Sequence, residues 1–355
     1  MSGLTDLLRT ASVVLCCGTG GVGKTTTAAA LALAAAEDGR RVVVVTIDPA
    51  RRLADALGLE AIGNECVPVD LDVAGELWVT MLDTKATFDG LIERHAIDNA
   101  QAQRILENRY YRNLSTSLSG TREFMAMERL HELNDESRFD VVVVDTPPSR
   151  NALDFLEAPD RLARFLDGRL FRLAAPGRGV TRKVAAPALM LLRRIARVIS
   201  PEVVDDTLAF IEAFSGMEEG FKERATAVDE LLGAATTAFV LVASPTAEAV
   251  DESGFFVSKL STAGIEVDAL VLNRCQPRFT ERDWGALGRD ERLPAGALAQ
   301  LDALRELTEL ADSEDEQSRV LVERCAAAVV ARVQELDHDV HDLAGIAEVA
   351  AKLRG

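Results

Sequence analysis

Short apolar segments separated by longer stretches of mixed polarity dominate the pattern of this chain. Six of these segments predict β-strands, at residues 12–17, 41–47, 77–82, 141–144, 238–243 and 269–272. Runs such as the valines at 141–144 lack the alternation of a half-exposed strand, which indicates burial on both faces. Strands of this kind, alternating with helical segments, predict a doubly wound α/β fold with a mostly parallel sheet.

Two long stretches interrupt this alternation. Residues 88–137 and 151–233 show no strand pattern, and their apolar side chains recur at helical spacing. We therefore predict one domain, residues 1–355, that carries a helical insert at about 88–137 and 151–233. Residues 282–331 also have a mostly helical and strongly charged pattern.

Composition narrows the class of protein. The chain has 355 residues, of which 48% are hydrophobic, enough for a sizeable core. The net charge of −18 disfavours a nucleic-acid partner, because a surface that follows phosphates needs excess Lys and Arg. The five cysteines include no C-x-x-C pair, so we expect neither a disulfide framework nor a zinc site. Residues 1–10 do not resemble a signal peptide, and no apolar run reaches about 18 residues, so we expect a cytoplasmic protein.

The clearest functional signal directly follows the first predicted strand. Residues 18–25 read G-T-G-G-V-G-K-T and precede an alanine-rich helical segment, which is the strand–loop–helix context of a phosphate-binding P-loop. Its glycines let backbone N–H groups point at phosphate oxygens, and the N-terminus of the helix adds partial positive charge. Lys24 is expected to contact the β- and γ-phosphates, and the Thr25 hydroxyl to bind Mg²⁺.

Two aspartates follow predicted strands downstream of the P-loop. Asp145 ends the valine run and is expected to bind Mg²⁺ through water. Asp48 follows the segment 41–47 and is placed to orient an attacking water. Both could instead cap the helices that follow, a common use of Asp at strand-to-helix turns. Because the carboxyl ends of parallel strands meet at one edge of a sheet, these aspartates, the P-loop and Asn273 are expected to share one site.

Three motifs together carry a resemblance to a known family. They are G-T-G-G-V-G-K-T-T at 18–26, D-P-A-R-R-L from Asp48 and D-T-P-P-S-R-N-A-L from Asp145. Looser matches are G-T-R-E at 120–123, the loop at 244–253, V-L-N-R at 271–274 and residues 337–343. The pattern resembles the arsenite-pump ATPase and guided-entry targeting ATPase family, over about residues 13–274. This resemblance implies a dimeric P-loop ATPase that uses ATP and Mg²⁺.

The resemblance also implies roles for single residues. Asp48 corresponds to the switch I aspartate that positions the hydrolytic water, and Asp145 to the switch II aspartate near the metal. Asn273 corresponds to the asparagine that pairs with adenine, for which its amide offers one donor and one acceptor; it could instead be a turn residue after a strand. The residues implied to cradle the phosphates and Mg²⁺ are Gly20, Gly21, Val22, Gly23, Lys24, Thr25 and Thr26.

Partners follow from the same resemblance. It implies a homodimer, or a heterodimer with a related ATPase, and a helical insert that binds an apolar client helix or a membrane-protein partner. Such a partner would hold the protein at the membrane periphery. Apolar side chains at 165–171 and 190–221 are candidates for a client groove, although most of them are expected simply to pack the core of the insert.

The chain departs from the family pattern at several positions. Thr19 stands where the family has a signature lysine that reaches the partner's phosphates, so hydrolysis is expected to be slow unless another group supplies the charge. Arg51 and Arg52 are candidates for that group, or they form salt bridges. The zinc-binding and arsenite-binding cysteines of the family are not recognisable. Two alternatives remain: the ATPase subunit of an anion or arsenite transporter, and a weakly hydrolysing regulatory subunit of a heterodimer.

Overall fold

The chain divides into two compact units. The computed structural model describes residues 3–47, 52–59, 62–112, 121–147, 158, 201–214, 216–278, 295–326 and 328–354. The first unit, called the sheet unit below, comprises Met1–Met81, Glu136–Leu153 and Ala235–Gly355. The second, called the helical unit, comprises Leu82–Asp135 and Asp154–Ala234 and interrupts the sheet unit twice along the sequence.

An eight-stranded sheet forms the centre of the sheet unit. Its strands are β1 Val13–Gly18, β2 Arg41–Thr46, β3 Val67–Pro68, β4 Glu76–Met81, β5 Val141–Asp145, β6 Thr237–Ala243, β7 Ala269–Cys275 and β8 Val329–Gln334. Their order is β3-β4-β2-β5-β1-β6-β7-β8, and every pairing is parallel except that between β3 and β4. The prediction of a mostly parallel, doubly wound α/β sheet is confirmed.

The helices flank and connect these strands. In chain order the helices discussed below are α1 Gly3–Thr10, α2 Lys24–Glu37, α3 Arg52–Ala56, α4 Thr84–His95, α5 Asn99–Leu106, α6 Thr121–Asp135, α7 Pro201–Phe214, α8 Glu218–Leu232, α9 Ala247–Thr262, α10 Ala295–Arg324 and α11 Leu343–Arg354. Among the described residues, no helix is both long and apolar enough to cross a membrane.

Burial explains why β1 and α2 form the centre of the sheet unit. Every residue of β1 is buried, as expected for a strand covered on both faces. Helix α2 is buried continuously from Ala28 to Ala36 and packs against β1, β2, β5 and α11. Its alanines let these neighbours approach closely from several sides, so the helix needs no single apolar face. The end of β1 and the start of α2 therefore adjoin the most continuously buried part of the sheet unit.

The strand boundaries differ from the predicted ones in instructive ways. Predicted strand 269–272 continues to Cys275, so Asn273 lies inside β7 and is paired in register with Val333 of β8. Strands β3 and β8 were not predicted, and β8 overlaps the end of the stretch 282–331 that was expected to be mostly helical. β8 alternates partly exposed and exposed residues along most of its length, which is typical of an edge strand and gives a weak apolar signal.

The helical unit has its own apolar core. Helices α4–α8 surround an aromatic cluster in which Phe88 contacts Tyr111 and Phe221 edge-on. Asp83 and Asp98 cap α4 and α5 by accepting hydrogen bonds from Ala86 N and Gln101 N. These caps satisfy backbone donors at the starts of the two helices, and the cluster accounts for the helical spacing of apolar residues in the described part of the unit.

Glu128 is a carboxyl side chain buried inside this helical unit. It is 1% exposed, and its carboxylate accepts hydrogen bonds from Arg94 at 3.1 Å and from Arg224 at 2.7–3.0 Å. Because an unpaired buried charge is strongly destabilising, these two arginines allow α4, α6 and α8 to share a polar contact.

Candidate nucleotide site

The P-loop lies between β1 and α2 at the centre of the sheet. Strand β1 ends at Gly18, and α2 begins at Lys24. Gly18 has a φ of 152°, and a Cβ there would overlap the carbonyl oxygen of Val242. Gly23 has a φ of 93°, and a Cβ there would overlap the Asn273 amide nitrogen. Both positions therefore require glycine, for backbone conformation and for space.

Lys24 lies folded against the loop that it follows. Its side chain is 7% exposed, and Nζ donates a 2.6 Å hydrogen bond to the carbonyl oxygen of Thr19. Gly20 and Gly21 are exposed, whereas Val22 is buried. The loop thus presents its backbone at the surface while the ammonium group lies inside it, next to the N-terminus of α2. The ammonium group and the N-terminal backbone of α2 bring positive charge to one place, which suits a phosphate.

A hydroxyl and a carboxylate meet beside this loop. Thr25 Oγ1 donates a 2.7 Å hydrogen bond to Asp145 Oδ2, and Thr46 Oγ1 donates to the same oxygen at 3.2 Å. Asp145 is 2% exposed and is the last residue of β5, adjacent in the sheet to both β1 and β2. Hydroxyl and carboxylate oxygens are the hard donors that Mg²⁺ prefers, so this pair fits a magnesium ion that also binds phosphate oxygens.

Asn273 approaches the P-loop from the opposite side. It is 9% exposed, and its Nδ2 donates a 2.8 Å hydrogen bond to the carbonyl oxygen of Val22. One amide hydrogen and the amide oxygen remain for a ligand, which is the combination needed to pair with an adenine edge. Asn273 therefore supports the loop and lines the space beside it.

Two neighbouring pockets extend from the loop. One, of about 860 Å³, is lined by Asn273 and by residues 333–340, which join β8 to the segment before α11; we call it the base-side pocket. The other, of about 340 Å³, is lined by Lys24, Thr25 and Asp145; we call it the phosphate-side pocket. Their walls share Gly23, Thr26, Arg274 and Val340. A ligand with a base at one end and phosphates at the other matches this arrangement.

The structure does not place several residues predicted from the sequence at the site. Asp48 and Arg51 lie outside the described residues, as does the side chain of Arg52, so the switch I prediction stays a prediction. Thr19 is 2% exposed, and its side chain does not project outward as a residue reaching across a dimer would.

The candidate client groove divides in a similar way. Residues 165–171 and 190–199 lie outside the described residues. Phe210, Ile211 and Phe214 are each at most 5% exposed and belong to the apolar core of the helical unit. For these three side chains the expectation of core packing is confirmed.

Several polar groups at the site were not predicted from the sequence, and three of them are Thr46, Asp55 and Arg274. Thr46 ends β2 and is in register with Asp145. Its place as a polar residue at the end of a valine run is the signal that could have identified it in the sequence. Asp55 in α3 lines the phosphate-side pocket, and Arg274 lines both pockets. Neither Asp55 nor Arg274 stands out in the sequence, because only folding brings α3 and the end of β7 to the loop.

The cysteines form no ligand set in the described structure. Burial raises the pKa of Cys16 well above its ordinary value, with the charge of Asp145 adding to the effect, and burial raises the pKa of Cys17 to about 12. Burial also raises the pKa of Cys275 and of Cys325 to about 11. These thiols stay protonated near neutral pH, and among described residues no three His, Cys, Asp or Glu side chains could hold a metal.

Comparison with known proteins agrees with this geometry. The chain is 25% identical over 275 residues to a protein of Aquifex aeolicus named as an arsenical pump-driving ATPase, covering 75% of this chain. It is 27% identical over 276 residues to ATPase GET3C of Arabidopsis thaliana, covering 74% of this chain, and 27% identical over 153 residues to ATPase GET3 of Malassezia globosa, covering 43%. These matches span 63%, 66% and 44% of the respective relatives, less than two thirds of each.

The family model described as anion-transporting ATPase matches residues 11–292, which include the P-loop, Asp145 and Asn273. That match extends over most of the chain, and the resemblance drawn from the three motifs is confirmed. The chain belongs to the anion-transporting ATPase family.

Proposed function

We propose that this protein is a Mg²⁺-dependent ATP hydrolase that works as a dimeric nucleotide switch. The observation that carries the proposal is the 2.7 Å hydrogen bond from Thr25 Oγ1 to Asp145 Oδ2, next to the buried ammonium group of Lys24. A hydroxyl, a carboxylate and an ammonium group held at the carboxyl ends of adjacent strands are the groups that phosphoryl transfer needs. Membership of an ATPase family supports the same conclusion.

Each residue has a task in this proposal. Gly20, Gly21, Val22 and Gly23 turn backbone N–H groups toward the phosphates, and Lys24 balances their charge. Thr25 and Asp145 would hold Mg²⁺, which when bound neutralises phosphate oxygens. Thr26 and Asn273 line the path from the phosphates toward the base. Catalysis then rests on position and charge, because a loose phosphoryl transition state asks for little covalent participation by the protein.

Asp48 is proposed to orient the attacking water. The support is its place in the sequence, two residues after the end of β2 at Thr46, since Thr46 itself contacts Asp145. Asp48→Asn is expected to leave nucleotide affinity within about twofold and to lower turnover by at least about a hundredfold, the range of a lost acid–base or positioning group. Unchanged turnover would remove Asp48 from the mechanism.

The finer part of the proposal concerns assembly. We propose that ATP brings together two copies, or one copy and a related ATPase, and that the helical unit responds by holding or releasing an apolar protein segment. Light scattering with and without ATP·Mg²⁺, run in parallel with turnover, tests assembly; a monomer under all conditions excludes it. Removing residues 175–199 is expected to abolish binding of an apolar helical peptide while ATP binding persists.

Thr19 sets the expected rate. Since this side chain is buried and uncharged, it contributes no cation to the developing negative charge on the phosphates. We expect slow intrinsic turnover, and a rise when a partner ATPase supplies the missing charge. Thr19→Lys in the homodimer is the matching test, and a turnover equal to that of the wild type would show that this charge does not limit the rate.

The decisive experiment compares two threonines of the same helix turn. Thr25→Val removes the hydroxyl that contacts Asp145, and it is expected to lower Mg²⁺-dependent ATP turnover by at least about tenfold, as for a lost hydrogen bond to a charged group. Thr27→Val is the matched control, because Thr27 Oγ1 is buried with no hydrogen-bond partner among the described residues. It should keep turnover and gain about 1 kcal/mol of stability. Equal turnover in Thr25→Val and the wild type would contradict the proposed function.

A further inference from the structure

Arg274 holds an unusual backbone conformation at the edge of the nucleotide site. Its φ is 59°, and it is the one non-glycine residue with a positive φ in the part of the chain that the structure describes. It lies at a register irregularity in β7, between Asn273 and Cys275. The irregularity turns the side chain of Arg274 out of the sheet, and that residue is exposed while both neighbours are buried. A bulge of this kind is a common means of redirecting a side chain at a functional site.

The redirected side chain lines both pockets. Among the residues that line the base-side pocket, Arg274 is the only Lys or Arg, and in the phosphate-side pocket it joins Lys24. It is therefore the one such cation common to both, at the place where a nucleotide would pass from base to phosphates.

No residue of the described structure engages the guanidinium group of Arg274. The nearby arginines behave differently: Arg278 pairs with Asp312 and Asp315 at 2.7 and 2.8 Å, and Arg332 pairs with Asp315 at 2.6 Å. A left-handed arginine carries a conformational cost that glycine would avoid. That cost is not offset here by an ion pair within the described chain, which is the situation expected when the partner is a ligand.

The charges around the pockets indicate what kind of ligand group that is. The base-side pocket is lined by Glu335, Asp337 and Asp339, and the phosphate-side pocket by Asp55 and Asp145. A triphosphate that enters between these carboxylates meets repulsion, and apart from Arg274 the one Lys or Arg that lines either pocket is Lys24. A guanidinium fork suits phosphate oxygens in geometry and in charge.

We propose that Arg274 binds the phosphate chain of the nucleotide from the base side, as a second cation beside Lys24. The inference rests on the proposed ATP-binding function. The left-handed backbone at Arg274 then lowers folding stability somewhat, and it places the guanidinium group where it can contact phosphate.

Calorimetric titration of ATP, ADP, AMP and adenosine against Arg274→Gln and Arg274→Gly tests this. ATP affinity is expected to fall by about tenfold to a hundredfold, the range of a charge-assisted hydrogen bond. Adenosine affinity should stay within about twofold of the wild type, with ADP and AMP between. Arg274→Gly should in addition raise the denaturation midpoint, since glycine adopts a φ of 59° without strain. Arg274→Lys retains one charge and is expected to lose less than Arg274→Gln.

Two controls separate this inference from the proposed function. Lys24→Ala must weaken ATP binding; if it does not, the proposed function itself fails. Arg305→Gln removes an exposed arginine on α10 that lines neither pocket, and it measures the effect of net charge alone. Three results would overturn the phosphate contact: wild-type ATP affinity in the Arg274 variants, a loss of affinity no larger than that of Arg305→Gln, or equal losses for adenosine and ATP. None of these results would contradict the proposed ATP hydrolysis.

Discussion

At the residue scale, steric contacts fix the shape of the P-loop, because a side chain at Gly18 or Gly23 would overlap neighbouring atoms. Gly23 lies in close contact with the Asn273 side chain, whose amide donates a hydrogen bond to Val22 O. This hydrogen bond connects β7 to the loop. The same asparagine that faces the base-side pocket thus fixes the loop geometry. If the proposed function holds, base recognition and phosphate binding are linked through the Asn273 side chain and Gly23.

Gly23→Ala tests this link. The change should weaken ATP binding. It should also destabilise the protein by more than about 1 kcal/mol, the cost expected for alanine in a left-handed conformation alone. Gly39→Ala is the matched control: Gly39 has a φ of 90°, nearly that of Gly23, but no atom lies within 4 Å of the added Cβ. Urea unfolding and nucleotide titration give both quantities. Equal destabilisation in the two variants would show that contact with Asn273 is unimportant.

At the element scale, a single arginine joins three parts of the sheet unit behind the site. Arg40, between α2 and β2, donates from Nη1 to the carbonyl oxygens of Leu8 and Ala11, and from Nη2 to that of Asp140. It thereby connects the end of α1 to the start of β5. Burial lowers the pKa of Arg40, partly offset by Asp140, although the group remains charged near neutral pH.

Arg40→Met keeps the aliphatic stem and removes the donors. We expect a loss of about 2–4 kcal/mol of unfolding free energy, because several carbonyl oxygens lose their donors in a partly buried place. The control is Arg305→Met, which breaks an exposed ion pair with Glu309 and should leave the unfolding free energy nearly unchanged. Denaturant titration followed by circular dichroism measures both. A loss for Arg40→Met no larger than the control would show that Arg40 does not join these elements.

At the scale of the whole molecule, the chain combines a nucleotide site in the sheet unit with a separately packed helical unit. All described residues of the site belong to the sheet unit, from the P-loop to the segment before α11. We therefore expect ligand binding to register first as stabilisation of the sheet unit. The net charge of −18 makes binding of an anionic nucleotide depend on the few cations directed at the site.

ATP·Mg²⁺ at a hundred times its dissociation constant should stabilise the sheet unit by about 2.7 kcal/mol. Hydrogen exchange is expected to slow in the P-loop and in residues 335–340. Asp145→Asn should lose most of the Mg²⁺-dependent part of this effect, and removal of Mg²⁺ with a chelator should reproduce that loss in the wild type. Protection that is independent of both Mg²⁺ and Asp145 would contradict the metal assignment.

Much of the site could be predicted from sequence because its chemistry is local. A strand, a glycine-rich turn and a helix that are contiguous in the chain form the P-loop, and a valine run ending in aspartate marks Asp145. β8 was not predicted because an edge strand buries few of its side chains. The roles of Thr46, Asp55 and Arg274 were not predicted because each depends on neighbours that are distant in the sequence.

The sequence by itself therefore determined the parallel α/β sheet, the phosphate loop and the family, since continuous apolar runs and a contiguous motif encode local conformation and burial. Only the tertiary structure decided that Asn273 supports the P-loop, that Thr19 is buried and that Arg274 turns out of β7 toward both pockets. The physical reason is that hydrogen bonds, burial and charge balance arise between segments that meet only when the sheet assembles.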